Sequence, residues 1–191
     1  MKIVAILGSP RPNGNSSLLA NRILSIAEQR GAMISRYELN TLDYRGCQAC
    51  YACKQGSETC VMMDDLAPVL ADVAAADAVV MASPVYCTDV SAQLKGFIDR
   101  LFSFLVPGYI AKPRKSRFAE NKKLVFILTQ GHRDPEMFND IFPRYLPILK
   151  WFGFSPAWTL RGVDVYFEGD VMKRPDLLQE ADRIGAALFA D

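Results

Sequence analysis

The hydrophobic pattern divides the chain into short apolar runs separated by amphipathic stretches. Apolar runs at Lys2 to Leu7, Met33 to Leu39, Ala78 to Ala82, Leu124 to Thr129 and, less clearly patterned, Ala157 to Val165 read as strands. The first is the unbroken series Ile3, Val4, Ala5, Ile6, Leu7, which suits a strand covered on both faces. Between the runs, apolar positions recur with helical period: Leu19, Ile23 and Ile26; Val90, Leu94, Phe97 and Leu101; Leu177, Ala181, Ile184 and Leu188. Asp64 and Asp65 open a further helix, where two carboxylates complement the helix dipole. Pro135 to Phe152 also reads as helical, with Pro143 and Pro147 expected to break or kink it. This alternation predicts an open parallel sheet with helices on both faces. Ligands in such sheets bind beyond the carboxyl ends of the strands, near the point where strand order reverses.

Half of the 191 residues are hydrophobic, enough for one sizeable core, and neither a repeat nor a linker divides the chain. We therefore expect a single domain over 1–191 with two insertions, one at about 40–63 and one at about 106–121. The 22 Lys and Arg nearly cancel the 21 Asp and Glu, which argues against nucleic acid or an anionic membrane surface as partner. The first strand begins at once, without the zones of a secretion signal, and no apolar run is long enough to span a bilayer. A cytoplasmic location is the expectation. Of five cysteines, Cys47, Cys50, Cys53 and Cys60 crowd into one insertion, which suits a metal or redox role in a reducing compartment better than a disulfide framework.

Three segments at strand ends carry the candidate chemistry. After the first strand, Gly8 to Ser17 joins a strand directly to a helix. Hydroxyls of Ser9, Ser16 and Ser17, amides of Asn13 and Asn15, the Arg11 guanidinium and the free N–H groups of the helix start would surround a phosphate there. The competing reading is an ordinary turn capped by Ser16. After the third strand, Pro84, Val85, Tyr86, Cys87 and Thr88 offer backbone amides and a ring; with the hydroxyls of Thr88 and Ser91 they suit a planar heterocycle. Tyr86 reads equally well as a half-buried aromatic at a strand end. After the fourth strand, Thr129, Gln130 and Gly131 supply further backbone donors. The lone histidine, His132, reads as a surface or capping residue, and Lys95 with Asp99 and Arg100 as a surface ion pair or a subunit contact. Nothing in the sequence supports a hydrolytic triad.

Taken in order, Gly8-Ser9-Pro10-Arg11-x-x-Gly14-x-Ser16, Ser83-Pro84-Val85-Tyr86 and Lys95-x-x-x-Asp99-Arg100 resemble the NADPH-dependent FMN reductase group of flavodoxin-like proteins over nearly the whole chain. The resemblance implies an α/β flavodoxin-like fold with a five-stranded parallel sheet in the order 2-1-3-4-5. It implies FMN as cofactor, with Ser9, Arg11, Asn13, Asn15, Ser16 and Ser17 matching the phosphate loop. Pro84, Val85, Tyr86, Cys87 and Thr88 match the isoalloxazine loop, although Cys87 stands where a larger residue or glycine is expected. NAD(P)H is the implied electron donor, a small-molecule redox substrate or an electron-transfer protein the acceptor, and a homodimer or homotetramer the assembly. The alternative is a flavin electron carrier with no NAD(P)H reaction of its own. The cations Lys112, Arg114, Lys115 and Arg117 of the second insertion read as a wet surface loop, or else as a lid or a site for the extra phosphate of NADPH.

The run Cys47-x-x-Cys50-x-x-Cys53, with Cys60 after six further residues, resembles the iron-sulfur flavoproteins of the same group. Three thiolates at successive spacings of three and a fourth a short loop away suit a 4Fe-4S cubane. Tetrahedral zinc is less apt, because structural zinc sites tie two separated pairs together. Free thiols in a loop remain the plain alternative.

Overall fold

The computed structural model describes residues 1–118 and 122–190. Its sheet holds β1 (Lys2–Leu7), β2 (Met33–Glu38), β3 (Ala78–Tyr86), β4 (Asp89–Val90), β5 (Lys122–Thr129) and β6 (Phe154–Gly162). The long strands are all parallel in the order β2-β1-β3-β5-β6, and β4 folds back antiparallel on the end of β3. Counting only the long strands, this is the expected 2-1-3-4-5 order.

Two-residue alternation within unbroken apolar runs explains why both faces are covered. Val4 and Ile6 of β1, Val79 and Met81 of β3, and Leu124, Phe126 and Leu128 of β5 point into one core. Their neighbours Ile3, Ala5 and Leu7, Ala78, Val80 and Ala82, and Val125 and Ile127 point into the other. The first core is closed by α2 (Leu66–Ala75), α3 (Ala92–Arg100) and α4 (Ile141–Trp151). The second is closed by α1 (Asn15–Gln29) and α5 (Pro175–Ala187).

Several boundaries differ from the sequence expectation. β3 runs on to Tyr86 because its end pairs with Asp89 and Val90 across a two-residue turn. The last strand begins at Phe154 and ends at Gly162, three residues earlier at each end than expected, because Phe154 belongs to the first core. The helix expected over Pro135 to Phe152 starts only at Ile141, and neither proline breaks it. Pro143 falls in the first turn, where no helical N–H bond is lost, and Pro147 is carried inside the helix. Of the second insertion, residues 119–121 lie outside the described residues.

The chain leaves β1 for β2 on one side and then returns past β1 to β3. The loops after β1 and β3 therefore diverge and open a crevice at the carboxyl edge.

Candidate functional site

A pocket of about 490 Å³ occupies that crevice, within the range of small-molecule sites. Ser9, Arg11 and Asn15 line it from the first loop, Pro84, Val85 and Tyr86 from the second, and Thr129, Gln130 and Gly131 from the third. Thus all three strand ends meet in one place. Asn13, Cys87 and Thr88 are exposed outside this lining, and Ser16 and Ser17 lie buried in the first turn of α1 beneath it.

The first loop is wound tightly by its own hydroxyl. Ser9 Oγ accepts from the Arg11 N–H at 3.1 Å and donates to the Arg11 carbonyl at 3.0 Å. Gly14 is required here, because a Cβ at that position would stand 2.3 Å from Ser9 Oγ. The helix start is uncapped: Gly14 offers no side chain, and the first turn holds no carboxylate. Ser16 Oγ is buried without a partner, although a buried hydroxyl ordinarily finds one. An uncapped helix start with an orphaned hydroxyl is fitted to an anion.

Asn15 is used differently from the expectation. Its Nδ2 donates to the Val165 carbonyl at 3.1 Å and the Phe167 carbonyl at 2.8 Å, and its Oδ1 accepts from the Val171 N–H at 3.3 Å. The amide thereby clamps the loop after β6 against the loop after β1. Replacing Asn15 by Ala is expected to cost about 2–3 kcal/mol, because three backbone partners, two of them in buried bonds, lose their hydrogen bonds. Urea unfolding of the variant beside wild type checks this.

The second loop turns at Cys87 and Thr88, with φ of 46° and 74°. Two successive left-handed residues match the type I′ geometry of a two-residue hairpin, which normally selects Asn and Gly. Ser91 belongs to the frame and not to the pocket. Its Oγ donates to the Gly8 carbonyl at 2.7 Å and accepts from the Leu94 N–H at 3.2 Å, so it caps α3 and ties the second loop to the first. Ser83 Oγ completes the tie by accepting from the Ser91 N–H at 2.8 Å.

In the third loop the Gln130 side chain is fully engaged. Its Nε2 donates to the carbonyls of His132 and Asp134, and its Oε1 accepts from Arg161 at 2.9 Å. The Gln130 N–H is also used, donating to the Gly162 carbonyl, so Gln130 lines the pocket beside Thr129 and Gly131 with its own donors engaged. His132 both lines the pocket and caps its loop, with Nδ1 accepting from the Asp134 N–H at 3.1 Å. Sequence reasoning missed Phe138, Val165 and Tyr166, which close the remaining wall. Tyr166 lies so near Gly131 that a Cβ there would come within 2.6 Å of its ring. Its loop follows β6 without any glycine-rich or hydroxyl signal, so only the fold could place it.

The four crowded cysteines line a second, small cavity together with Arg100 and Phe102. Cys53 is buried, Cys60 half-buried, and Cys47 and Cys50 exposed. Ala49 and Tyr51, which flank Cys50, take left-handed conformations at φ 51° and 57°. Such backbone costs about 1–3 kcal/mol per non-glycine residue and is concentrated at functional sites. Among the described residues no three His, Cys, Asp or Glu side chains converge around one ion. A cubane spreads its ligands over several irons, so its thiolates surround a cavity instead of meeting at a point. Asp64 meets the start of α2 as expected, its Oδ1 accepting from the Leu66 N–H at 3.2 Å, whereas the Asp65 side chain makes no cap. Asp64 holds Arg100, with Oδ2 accepting from Nη1 at 2.7 Å, and Asp65 accepts from the Asp43 N–H at 2.8 Å. Burial pushes the Asp64 carboxyl up, but bonds from Arg100 and the Arg45 N–H outweigh it and hold the pKa below the usual range.

The described part of the basic insertion is largely exposed, as a wet surface loop would be, but three of its cations are tethered to backbone carbonyls. Arg114 donates to the carbonyls of Ser116 and Phe118, and Lys115 to those of Tyr109, Ile110 and Lys112. Arg117 reaches the carbonyls of Cys53 and Glu58 and so braces the cysteine segment. A larger cleft of about 600 Å³ runs from Asp89 of the hairpin to Cys47, between α3 and α4. Its charged groups are paired, Lys95 with Asp99 at 2.5 Å and Arg144 with Asp89 at 3.4 Å.

No helix among the described residues is long and apolar enough to cross a membrane. An iron-sulfur flavoprotein of Archaeoglobus fulgidus is 38% identical over 104 residues, 54% of this chain and 47% of that protein. One of Methanosarcina thermophila is 35% identical over 131 residues, 69% of this chain and 63% of that protein. The chain thus spans about half the length of the first relative and under two thirds of the second. Among solved structures, an NAD(P)H:quinone oxidoreductase from Methanothermobacter marburgensis matches 100% of this chain and 98% of its own, with a TM-score of 0.74 at 19% identity. An FMN-dependent NADH-azoreductase from Bacillus anthracis, in complex with FMN, matches 98% of each chain with a TM-score of 0.68 at 14% identity. These likenesses establish the flavodoxin-like fold. The family model described as NADPH-dependent FMN reductase matches residues 1–137, most of the chain, and the chain belongs to that family.

Proposed function

We propose that the protein is an FMN-dependent oxidoreductase that takes electrons from NAD(P)H and delivers them to a small-molecule or protein acceptor through a 4Fe-4S cluster on Cys47, Cys50, Cys53 and Cys60. The carrying observation is the orphaned Ser16 hydroxyl at an uncapped helix start beneath a pocket of about 490 Å³. The family match and the names of the iron-sulfur relatives support the same reading.

In this reading Ser9, Arg11, Ser16 and Ser17 and the backbone of Asn13 and Asn15 hold the phosphate of FMN. Arg11 stands exposed at the rim, tethered weakly to the Tyr166 carbonyl at 3.4 Å, so its guanidinium is available to a dianion. Pro84, Val85 and Tyr86, with backbone from Cys87 and Thr88, form one wall for the ring system, and Thr129 to Gly131 with Tyr166 the other. When bound, FMN supplies acceptance of a hydride and its release as single electrons or a pair. The residues need no acid or base for this; they orient the rings, exclude water and set the charge around them. The cleft from Asp89 to Cys47 is the place for the acceptor, because it borders both the flavin hairpin and the cysteine segment.

The chain purified without air is expected to be yellow, with about one FMN per chain and iron and sulfide in matching amounts. Failure to hold or take up FMN contradicts the reading. FMN with no iron, sulfide or zinc leaves the oxidoreductase and removes the cluster from it.

A further inference from the structure

The motif Lys95-x-x-x-Asp99-Arg100 ends on a residue that the flavin pocket does not use. Lys95 and Asp99 form an exposed pair. Arg100 is 1% exposed and heads the fully buried side chains by volume. A guanidinium this deep needs partners for its donors. Its Nη1 donates to the Arg45 carbonyl at 2.8 Å and to Asp64, and its Nη2 to Asp64 at 3.1 Å and the Met62 carbonyl at 3.4 Å. One fork therefore joins the chain just before Cys47 to the chain just after Cys60, closing the segment that bears all four thiols.

The Arg100 Nε is buried with no partner. An orphaned N–H on a buried cation is costly enough to point to an acceptor that arrives with a ligand. Arg100 forms one wall of the cavity lined by Cys47, Cys50, Cys53 and Cys60. Burial opposes its charge, but Asp64 and the neighbouring Cys60 sulfur hold its pKa above the ordinary value. The other cations of the segment are already engaged. Lys54 donates to the Phe102 carbonyl at 2.6 Å and stands 3.4 Å from Cys53 Sγ, and Arg117 binds backbone carbonyls.

We propose that Arg100 is the positioning residue of the cysteine centre: its fork holds the two ends of the cysteine segment together, and its Nε donates to the Cys60 thiolate when that thiolate ligates an iron-sulfur cluster. The proposal rests on the reading of the four cysteines as cluster ligands. A donor and a fixed positive charge at a ligand sulfur favour the reduced, more negative cluster and so raise its reduction potential.

The test compares wild type, Arg100→Gln and Arg100→Lys, each purified without air with its cofactors. FMN, iron and sulfide per chain are measured, and the cluster potential is read by redox titration. Arg100→Gln removes charge and donor and is expected to keep FMN while losing most of its iron and sulfide. Arg100→Lys keeps the charge but has no Nε, so it is expected to keep both cofactors with the cluster at a more negative potential. A wild-type potential in Arg100→Lys, or full iron at unchanged potential in Arg100→Gln, would overturn the proposal. Loss of FMN along with iron from both variants would also overturn it, marking Arg100 as a support of the whole fold. Wild type that takes up no iron and sulfide would be separately recognisable as failure of the cluster reading, and the proposal would fall with it.

Discussion

Ser16→Ala is expected to bind FMN about 10- to 100-fold more weakly than wild type while resisting unfolding as well as or better than wild type does. The two signs come from one atom. In the absence of a ligand, Ser16 Oγ is buried without a partner, so removing it relieves a polar group that the apo fold leaves unsatisfied. With the phosphate bound, the same hydroxyl makes a hydrogen bond to a charged acceptor, worth about 1.5–3 kcal/mol, which sets the expected loss of affinity. FMN titration by fluorescence and urea unfolding of the apo chain measure the two halves separately. Unchanged FMN affinity would remove Ser16 from the site, and a large loss of apo stability would make it an ordinary structural cap. Gly14→Ala is the companion control, because its Cβ displaces Ser9 Oγ and should distort the loop whether or not Ser16 is present.

The largest expected stability effect is at Asp64. Its side chain is 17% exposed and that of Arg100 0%, and truncating one partner of such a pair strands the other charge. Asp64→Ala is therefore expected to cost about 3–5 kcal/mol. The pair also predicts part of the acid response. A carboxyl whose folded pKa is below its unfolded one stabilises the fold fully above the unfolded value, and the benefit disappears as pH falls through the folded value. Wild type should lose this contribution progressively as pH falls through about 4, where an unfolded aspartate is half protonated. Asp64→Ala should lack that part of the slope. Urea midpoints followed from neutral to acid pH for both chains give the answer, and parallel curves would show that Asp64 is not the titrating partner.

The strands and the three strand-end loops are legible because unbroken apolar runs, each followed by turn residues, carry most of their meaning locally, whereas the sheet order comes only with the family resemblance. What escaped depends on partners distant in sequence. The end of β3 was hidden because Pro84 argues against a strand, yet it continues beside Thr129 and then folds back on β4. The place of Asn15 in the loop points to a phosphate ligand, but its amide meets a segment some 150 residues away. Ser91 looked available to a ligand, but it is fixed between Gly8 and the start of α3. Arg100 reads as a surface charge because the i, i+4 pair of Lys95 and Asp99 just before it dominates the local pattern. The cysteine segment that buries it is placed by the tertiary fold. Tyr166 carried no local signal at all.

The central claim is that the crevice holds FMN in reach of a nicotinamide donor. Its most direct test is the visible spectrum of the FMN-loaded protein as NADPH, and separately NADH, is added without oxygen. The flavin absorbance is expected to bleach with at least one of the two donors. Flavin colour that persists with both, while a ferredoxin-type donor reduces the same protein rapidly, would contradict it and make the protein a flavin electron carrier.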